Sequence, residues 1–184
     1  MNPSTTSERL VRAVGESPVS ESLARAQEYL YGPLVRWVRR RTPFNAPVVG
    51  HSLHPILTDF PLGCWVSASV LDLAGGLRAR RSATLLVATG VAAAVPTALA
   101  GANDWSELAG SDRRIGGVHA LGTDAATLLM GVSLIARLRG RHRGGVILGL
   151  AANAVAAGSG FLGGYLALTR GAARRTISPI QTGA

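Results

Sequence analysis

Two segments of the chain repeat the same three polar residues at the same spacing. In each segment a histidine is followed, at the fourth and fifth positions, by the dipeptide Thr-Asp. The two sets are His54, Thr58 and Asp59, and His119, Thr123 and Asp124. Imidazole nitrogens ligate metal ions and haem iron and exchange protons near neutral pH, and carboxylates can ligate metals or accept protons. The repeated segments are therefore the first candidates for a functional site.

Both segments open apolar stretches that are long enough to cross a lipid bilayer. Four such stretches occupy residues 55–77, 83–102, 115–136 and 146–168. Each is close to the ~20 helical residues that span ~30 Å of hydrocarbon. Because the connections between them are short, consecutive spans should be antiparallel neighbours. The sequence predicts an all-α integral membrane four-helix bundle with up-down-up-down topology.

The repeated histidine segments begin the first and third spans, which run in the same direction. They should therefore lie at similar depth on one side of the membrane, as in a tandem duplication of a helical hairpin about a pseudo-twofold axis. The first and third helices are diagonal in such a bundle, ~14 Å apart when neighbours are ~10 Å apart. Asp59 and Asp124 lie inside the apolar stretches, so each is expected to face the interior and to have a partner.

Composition agrees with a membrane protein. The chain is 47% hydrophobic and 16% charged, and its 23 glycines are typical of closely packed membrane helices. All 19 basic residues are arginines, clustered between the apolar stretches. This pattern suits lipid headgroups better than a nucleic-acid backbone, so no nucleic-acid partner is expected. Cys64 is the only cysteine, which excludes an internal disulfide.

The spans divide the chain into three parts. Residues 1–47 form an N-terminal tail, 48–172 the four-span membrane domain, and 173–184 a C-terminal tail. Residues 1–20 are polar and are expected to be mobile. Residues 21–41 predict a short helix, interrupted near Gly32-Pro33, that lies along the headgroup layer with Trp37 and its arginines as anchors. A solvated basic linker is the alternative.

Other span ends bring further polar and aromatic residues to the histidine side. The candidate cofactor-binding residues are His54, His119, His51, Trp105 and Tyr165, and the accompanying polar cluster is Asp59, Asp104 and Asp124. Nearby Arg113, Arg114 and Arg170 could pair with haem propionates. On the fourth span, Gly160 and Gly164 predict a small-xxx-small helix contact.

Three interpretations of the cluster are open. His54 and His119, on diagonal helices, could ligate a b-type haem from opposite faces or act as proton-coupled partners of a quinone. His and Asp could instead form a metal or ion-transport site. The third interpretation is structural, with hydrogen bonds tying helix ends together. No hydrolase, transferase or nucleotide-binding motif is found, so enzymatic activity is undecided and no catalytic residue is assigned.

The location follows from the spans and the charges. We expect a multi-pass protein of the inner (plasma) membrane with both termini cytoplasmic, because an arginine-rich N-terminal segment without an evident signal peptide would be hard to translocate. A scaffold that docks a redox partner is the non-enzymatic alternative, and a homo-oligomer is compatible with the sequence.

Four strings resemble a known bacterial family: GHSLHPILTDFPLG, AGANDW, VHAL and GFLGGYLALTRG. The family is the four-span membrane proteins catalogued as domain of unknown function 2231, and the resemblance covers about residues 48–172. The HP-x-x-x-x-FP-x-G element, from His54 to Gly63, is its most specific part. Some members are fused to Rieske-type iron–sulfur domains, so the resemblance implies a redox association with a Rieske or ferredoxin-type partner. This chain has one cysteine and cannot build a cluster itself.

Overall fold

A computed structural model of the protein describes residues 5–41 and 52–171. The described residues form helices and turns without strands. Six α-helices follow in chain order: α1 (Thr6–Glu16), α2 (Pro18–Arg41), α3 (His54–Ala74), α4 (Arg80–Trp105), α5 (Gly110–Leu138) and α6 (His142–Gly164). A 3₁₀ turn (Leu77–Ala79) precedes α4 and a π-helical turn (Tyr165–Thr169) continues α6. The predicted all-α fold is confirmed.

Four helical segments are long and apolar enough to cross a membrane: His54–Ala74, Leu77–Trp105, Gly110–Leu138 and His142–Thr169. They correspond to the four predicted stretches, so the multi-pass architecture is confirmed. The first span ends at Ala74, earlier than predicted, because the chain turns at Gly75-Gly76. Gly76 has φ 62°, a left-handed conformation that side chains other than glycine rarely adopt.

The four spans pack as two hairpins, α3 on α4 and α5 on α6, which meet through α4 with α5 and α3 with α6. The helices α3 and α5 are therefore diagonal, as expected. The shared core combines Trp65, Val87 and Met130 with several buried alanines. Helices approach closely in this core: a Cβ added at Gly90 would lie 2.3 Å from Nε1 of Trp65. Small residues thus set the spacing within the hairpins.

Equivalent positions of the two hairpins touch across the bundle axis. His54 and His119, which are 65 positions apart, have ring centroids 6.2 Å from each other. Asp72 and Arg137 are also 65 positions apart and form an ion pair. Residues at equivalent positions can touch only beside the axis that relates them. The two contacts support the predicted tandem repeat about a pseudo-twofold axis and show that both histidines lie at the same end.

The Asp72–Arg137 ion pair is buried at the opposite end from the histidines. The guanidinium donates to both carboxylate oxygens, at 2.9 Å from Nη1 and 2.5 Å from Nη2, and the two side chains are 5% and 1% exposed. Arg137 Nε also donates to Ser133 Oγ at 3.2 Å, and this hydroxyl donates to the Gly145 carbonyl. A charged pair inside a span is stable only when its hydrogen bonds are satisfied this fully.

The N-terminal segment is folded where the structure describes it. A reciprocal Thr5–Glu8 capping box starts α1, and the fully buried Val11 packs with Ile115 and Leu166. The expectation that residues 1–20 are mobile is therefore wrong for Thr6–Glu16. A short helix that is polar on average is stabilised by tertiary packing of its one apolar face.

The second N-terminal helix also differs from the expectation. It runs without interruption from Pro18 to Arg41 and contains Pro33 in its interior. The predicted break near Gly32-Pro33 is wrong because Pro33 lies on an exposed face, where a proline can bend a helix without ending it. The proposed interfacial anchor Trp37 and the arginines after it lie outside the described side chains.

Charge pairs and side-chain hydrogen bonds attach α1 and α2 to α5. Arg113 pairs with Glu28 at 2.9 Å and Arg114 with Glu21 at 2.8 Å. The hydrogen bond from Arg114 holds the pKa of Glu21 below its usual range. Gln27 Nε2 donates to the Gly117 carbonyl at 3.0 Å. The contacts leave Arg113 and Arg114 engaged within the protein, so the expectation that they pair with haem propionates is not supported.

The first prediction uses the pseudo-symmetry of the ion pair. Asp72→Ala or Arg137→Ala alone should lower the free energy of unfolding by ~3–5 kcal/mol, because each leaves one charge buried and unpaired. The double variant Asp72→Arg/Arg137→Asp should recover much of that loss, since the axis relates the two positions. Thermal or denaturant unfolding in detergent measures all three.

Asp59→Ala serves as the control for this experiment, because Asp59 is an exposed carboxylate on the same helix. It should change stability little. The exchanged pair is not expected to recover the full stability. Arg137 donates a hydrogen bond to Ser133, whereas an arginine at position 72 would have Ala68 at the equivalent position. A double variant as unstable as the worse single variant would show that the two positions are not equivalent.

Candidate functional site

The ring of His54 is held in the first turn of α3 by the neighbouring helix α4. Its Nδ1 lies 3.0 Å from the carbonyl oxygen of Thr97. One turn further along α4, Gly101 lies against the ring, and a Cβ there would be 2.7 Å from Cε1 of the imidazole. The absence of a side chain at Gly101 thus lets the imidazole lie directly on the α4 backbone.

His119 has the same environment in the second hairpin. Its Nδ1 lies 2.9 Å from the carbonyl oxygen of Ser159, and a Cβ added at Gly163 would be 2.6 Å from its Cε1. In both hairpins a small hydroxyl residue is followed four positions later by glycine: Thr97 and Gly101, Ser159 and Gly163. Sequence reasoning missed these four residues, although their matched spacing on the second and fourth spans was a visible signal.

The two imidazoles lie close together beside the pseudo-twofold axis, in an edge-type contact. Their centroids are 6.2 Å apart and their planes are inclined by 76°. A carbonyl oxygen can only accept a hydrogen bond, so each neutral ring carries its proton on Nδ1 and has its lone pair on Nε2. Fixing Nδ1–H on a backbone carbonyl in this way is how proteins orient a histidine that ligates a metal through Nε2.

The threonines of the repeat serve their own helices. Thr58 Oγ1 donates to the His54 carbonyl at 2.8 Å, and Thr123 Oγ1 to the His119 carbonyl at 3.2 Å. Such bonds back to the preceding turn satisfy the hydroxyl inside an apolar span. The repeated Thr therefore marks the duplication without adding a ligand to the histidine pair.

The two aspartates of the repeat have different environments. Asp124 is half-buried and accepts a hydrogen bond from the Tyr31 hydroxyl at 3.0 Å, so its expected partner comes from α2. Burial raises the pKa of Tyr31, which keeps the donated proton on the phenol. Asp59 is exposed, so the expectation that it faces the interior is wrong. A residue five positions after the histidine is turned ~140° away from it, and α2 covers that face on α5.

The other candidates serve the helix ends. The Ser52 hydroxyl donates to the Asp104 carboxylate and accepts from the His54 backbone N–H, which links Asp104 to the start of α3. Trp105 Nε1 donates to the Arg113 carbonyl at 3.0 Å, and the Arg113 guanidinium lies 4.4 Å from the indole centroid.

Two more candidates lie away from the imidazole pair or outside the described residues. Tyr165 packs on the cluster of Val11, Ile115 and Leu166 and receives the Arg170 guanidinium at 5.8 Å from its ring. Arg170 also lies 3.8 Å from the Asp112 carboxylate, so its expected role with haem propionates is not supported either. His51 lies outside the described residues. The structure brings His54 and His119 together, whereas Trp105, Tyr165, Asp104 and Asp124 contact other partners and Asp59 is exposed.

Two further expectations can be compared with the packing. Gly160 and Gly164 have open space where a Cβ would stand, so they make no close helix contact among the described residues. Gly163, between them, is the glycine in contact. Within the same described ranges, no group of three or more His, Cys, Asp or Glu side chains is placed to hold a metal ion. A metal site built from His and Asp ligands is therefore not supported there.

Comparison with known proteins gives one match. A sequence model of the family described as "Predicted membrane protein (DUF2231)" matches residues 50–175. No curated protein and no solved structure matches the chain significantly. The family description names no activity, so the function has to be argued from the site.

The second prediction tests how closely α6 must approach the imidazole. In Gly163→Ala the new methyl group collides with the His119 ring, so the hydrogen bond to the Ser159 carbonyl should be lost. Overpacking of this kind costs ~1–3 kcal/mol of unfolding free energy. Gly160→Ala, one turn earlier on the same helix and in open space, should be neutral or slightly stabilising. Equal unfolding midpoints for the two variants in detergent would contradict the described contact.

Proposed function

We propose that His54 and His119 ligate the iron of a b-type haem in a redox-associated membrane protein. The chain belongs to the DUF2231 family of predicted membrane proteins, because the matched model covers more than half of it. The observation that carries the proposal is the pair of imidazoles that meet at the bundle axis, each oriented through Nδ1 by a backbone carbonyl.

The separation of the rings suits a shared metal centre. Two metal–nitrogen bonds of ~2.0–2.1 Å, with about half a ring width on each side, place imidazole centroids about 6 Å apart. The observed distance is 6.2 Å. The inclination of 76° between the ring planes would not prevent His54 and His119 from holding one haem iron.

The number of ligands favours haem over a bare ion. Structural and catalytic zinc sites use three or four protein ligands, whereas haem iron takes four nitrogens from its porphyrin and at most two from the protein. The described part of the chain offers two imidazoles at the axis and no third metal-ligating side chain beside them. His54 and His119 would thus be the two protein residues that hold the haem iron.

The protein's contribution to such a centre is orientation. Hydrogen bonds from Nδ1 to the Thr97 and Ser159 carbonyls would leave Nε2 of each imidazole as the ligating atom. Gly101 and Gly163 keep side chains away from the ring edges. A bound haem would supply reversible one-electron exchange. A membrane-bound or soluble iron–sulfur protein of Rieske or ferredoxin type is the proposed electron partner.

The third prediction tests the haem directly. Protein isolated in mild detergent from haem-replete cells should show a Soret band, which is lost in His54→Ala and in His119→Ala. His142→Ala is the matched control, because His142 starts α6 at the opposite end of the bundle, and its spectrum should equal that of the wild type. Absorption spectra and iron content, measured on variants with wild-type helicity, give the readout.

Two outcomes would overturn this proposal. A colourless wild-type protein that contains no iron would leave the histidines as hydrogen-bonding residues and favour the scaffold function. A Soret band that persists in the His54→Ala/His119→Ala double variant would place the haem elsewhere.

We also propose that both termini face the cytoplasm at the inner membrane. Nine arginines flank the span ends on the side of the termini and seven on the side of the two short hairpin loops. Because this difference is small, the proposal rests mainly on the N-terminal segment, whose four arginines between residues 36 and 41 would be hard to translocate.

The fourth prediction tests this orientation with single cysteines. In a Cys64→Ser background, Arg139→Cys should react with a membrane-impermeant maleimide in intact cells. Glu16→Cys should react only after the cells are lysed; both positions are exposed on the protein surface. The opposite labelling pattern would invert the assignment.

A further inference from the structure

We propose that the end of the bundle opposite the histidines binds the headgroups of anionic phospholipids. This loop end consists of the α3–α4 and α5–α6 connections and the helix ends beside them. It carries six exposed arginines: Arg78, Arg80, Arg81, Arg139, Arg141 and Arg143. The salt bridges among the described residues involve none of the six.

The loop end lacks carboxylates that could neutralise these arginines. Of the ten acidic residues of the chain, Asp72 alone belongs to this end, and both of its oxygens are taken by Arg137. The first turns of α4 and α6 contain no acidic residue. Six positive charges therefore remain uncompensated on two short connections.

The opposite end of the bundle shows the contrast. There Arg113, Arg114 and Arg170 each lie within 4 Å of a carboxylate of the same chain. The protein thus neutralises these three arginines internally, whereas the six arginines of the loop end have no ion pair among the described residues. Exposed guanidinium groups bind phosphate oxygens strongly, often through two parallel hydrogen bonds.

Leucines beside the arginines point to a lipid as the source of the phosphate. Leu73, Leu77 and Leu138 are 70%, 74% and 72% exposed. Leu77 directly precedes Arg78, and Leu138 directly precedes Arg139. At the boundary between acyl chains and headgroups, apolar side chains enter the hydrocarbon while arginines reach the phosphates. The leucines thus place the six arginines at the depth of the lipid headgroups.

The fifth prediction measures which lipid the protein retains. Wild-type protein in detergent is mixed with equal amounts of phosphatidylglycerol and phosphatidylcholine, and retained lipids are counted by native mass spectrometry. We expect about tenfold enrichment of phosphatidylglycerol, in keeping with the attraction of several arginines to an anionic surface. Replacing the six arginines by glutamine should abolish the preference. Two triple variants keep the test possible if the sixfold variant does not fold. Each is expected to weaken the preference for phosphatidylglycerol: Arg78→Gln/Arg80→Gln/Arg81→Gln and Arg139→Gln/Arg141→Gln/Arg143→Gln.

The matched control neutralises exposed arginines away from the loop end. Arg9→Gln/Arg12→Gln on α1 should keep the preference for phosphatidylglycerol. Equal retention of both lipids by the wild type, or an unchanged preference in both triple variants, would overturn the proposal. So would a preference lost in the α1 control, because it would reflect net charge alone. Competition by inorganic phosphate at the lipid concentration would instead assign the arginines to a soluble anion.

Discussion

The ion pair between Asp72 and Arg137 fixes how the two hairpins of this bundle meet. Apolar helix faces in lipid gain little by choosing one partner over another, because the surrounding acyl chains are equally apolar. A buried guanidinium and carboxylate, in contrast, satisfy each other at one depth and one rotation of α3 against α5. Each lies 18 positions after the histidine of its own helix, which is five turns at ~3.6 residues per turn. The rotation that joins Asp72 to Arg137 therefore also turns His54 and His119 towards the same axis.

Hydropathy and spacing were sufficient for the spans and for the histidine pair. Runs of about twenty apolar residues permit few alternatives in a membrane, and matched motifs on parallel spans must share a depth. The ion pair could not be found in this way, because Asp72 and Arg137 lie in the two arginine-rich span ends, where sequence alone suggests solvated charges. The orientation of the two imidazole rings could not be predicted either, because it depends on the Thr97 and Ser159 carbonyls. Backbone carbonyls have no signature in the sequence, and the only signal beside them was the matched spacing of Thr97 with Gly101 and of Ser159 with Gly163.

The N-terminal helices explain where the symmetry of the repeat fails. Asp59 and Asp124 occupy equivalent positions, yet only Asp124 has a hydroxyl partner, because α2 lies against α5 and brings Tyr31 with it. Nothing in the two aspartate motifs distinguishes them. The difference comes from Val11, Gln27 and Tyr31, in segments whose polar average suggested a mobile tail and a surface helix. The N-terminal helices α1 and α2, which lie outside the duplication, thus make the second hairpin different from the first.

The pseudo-twofold axis also limits how this bundle could have arisen. Two identical hairpins associating as a dimer would bring the same residue to both sides of the axis. Paired histidines tolerate that condition, since two like neutral rings can face each other. An Asp72–Arg137 pair does not, because identical halves would oppose two carboxylates or two guanidinium groups in the hydrocarbon. The opposite charges require halves that have diverged, as a single gene encoding both hairpins allows. The histidine pair is therefore compatible with identical halves, whereas the ion pair requires halves that differ in sequence.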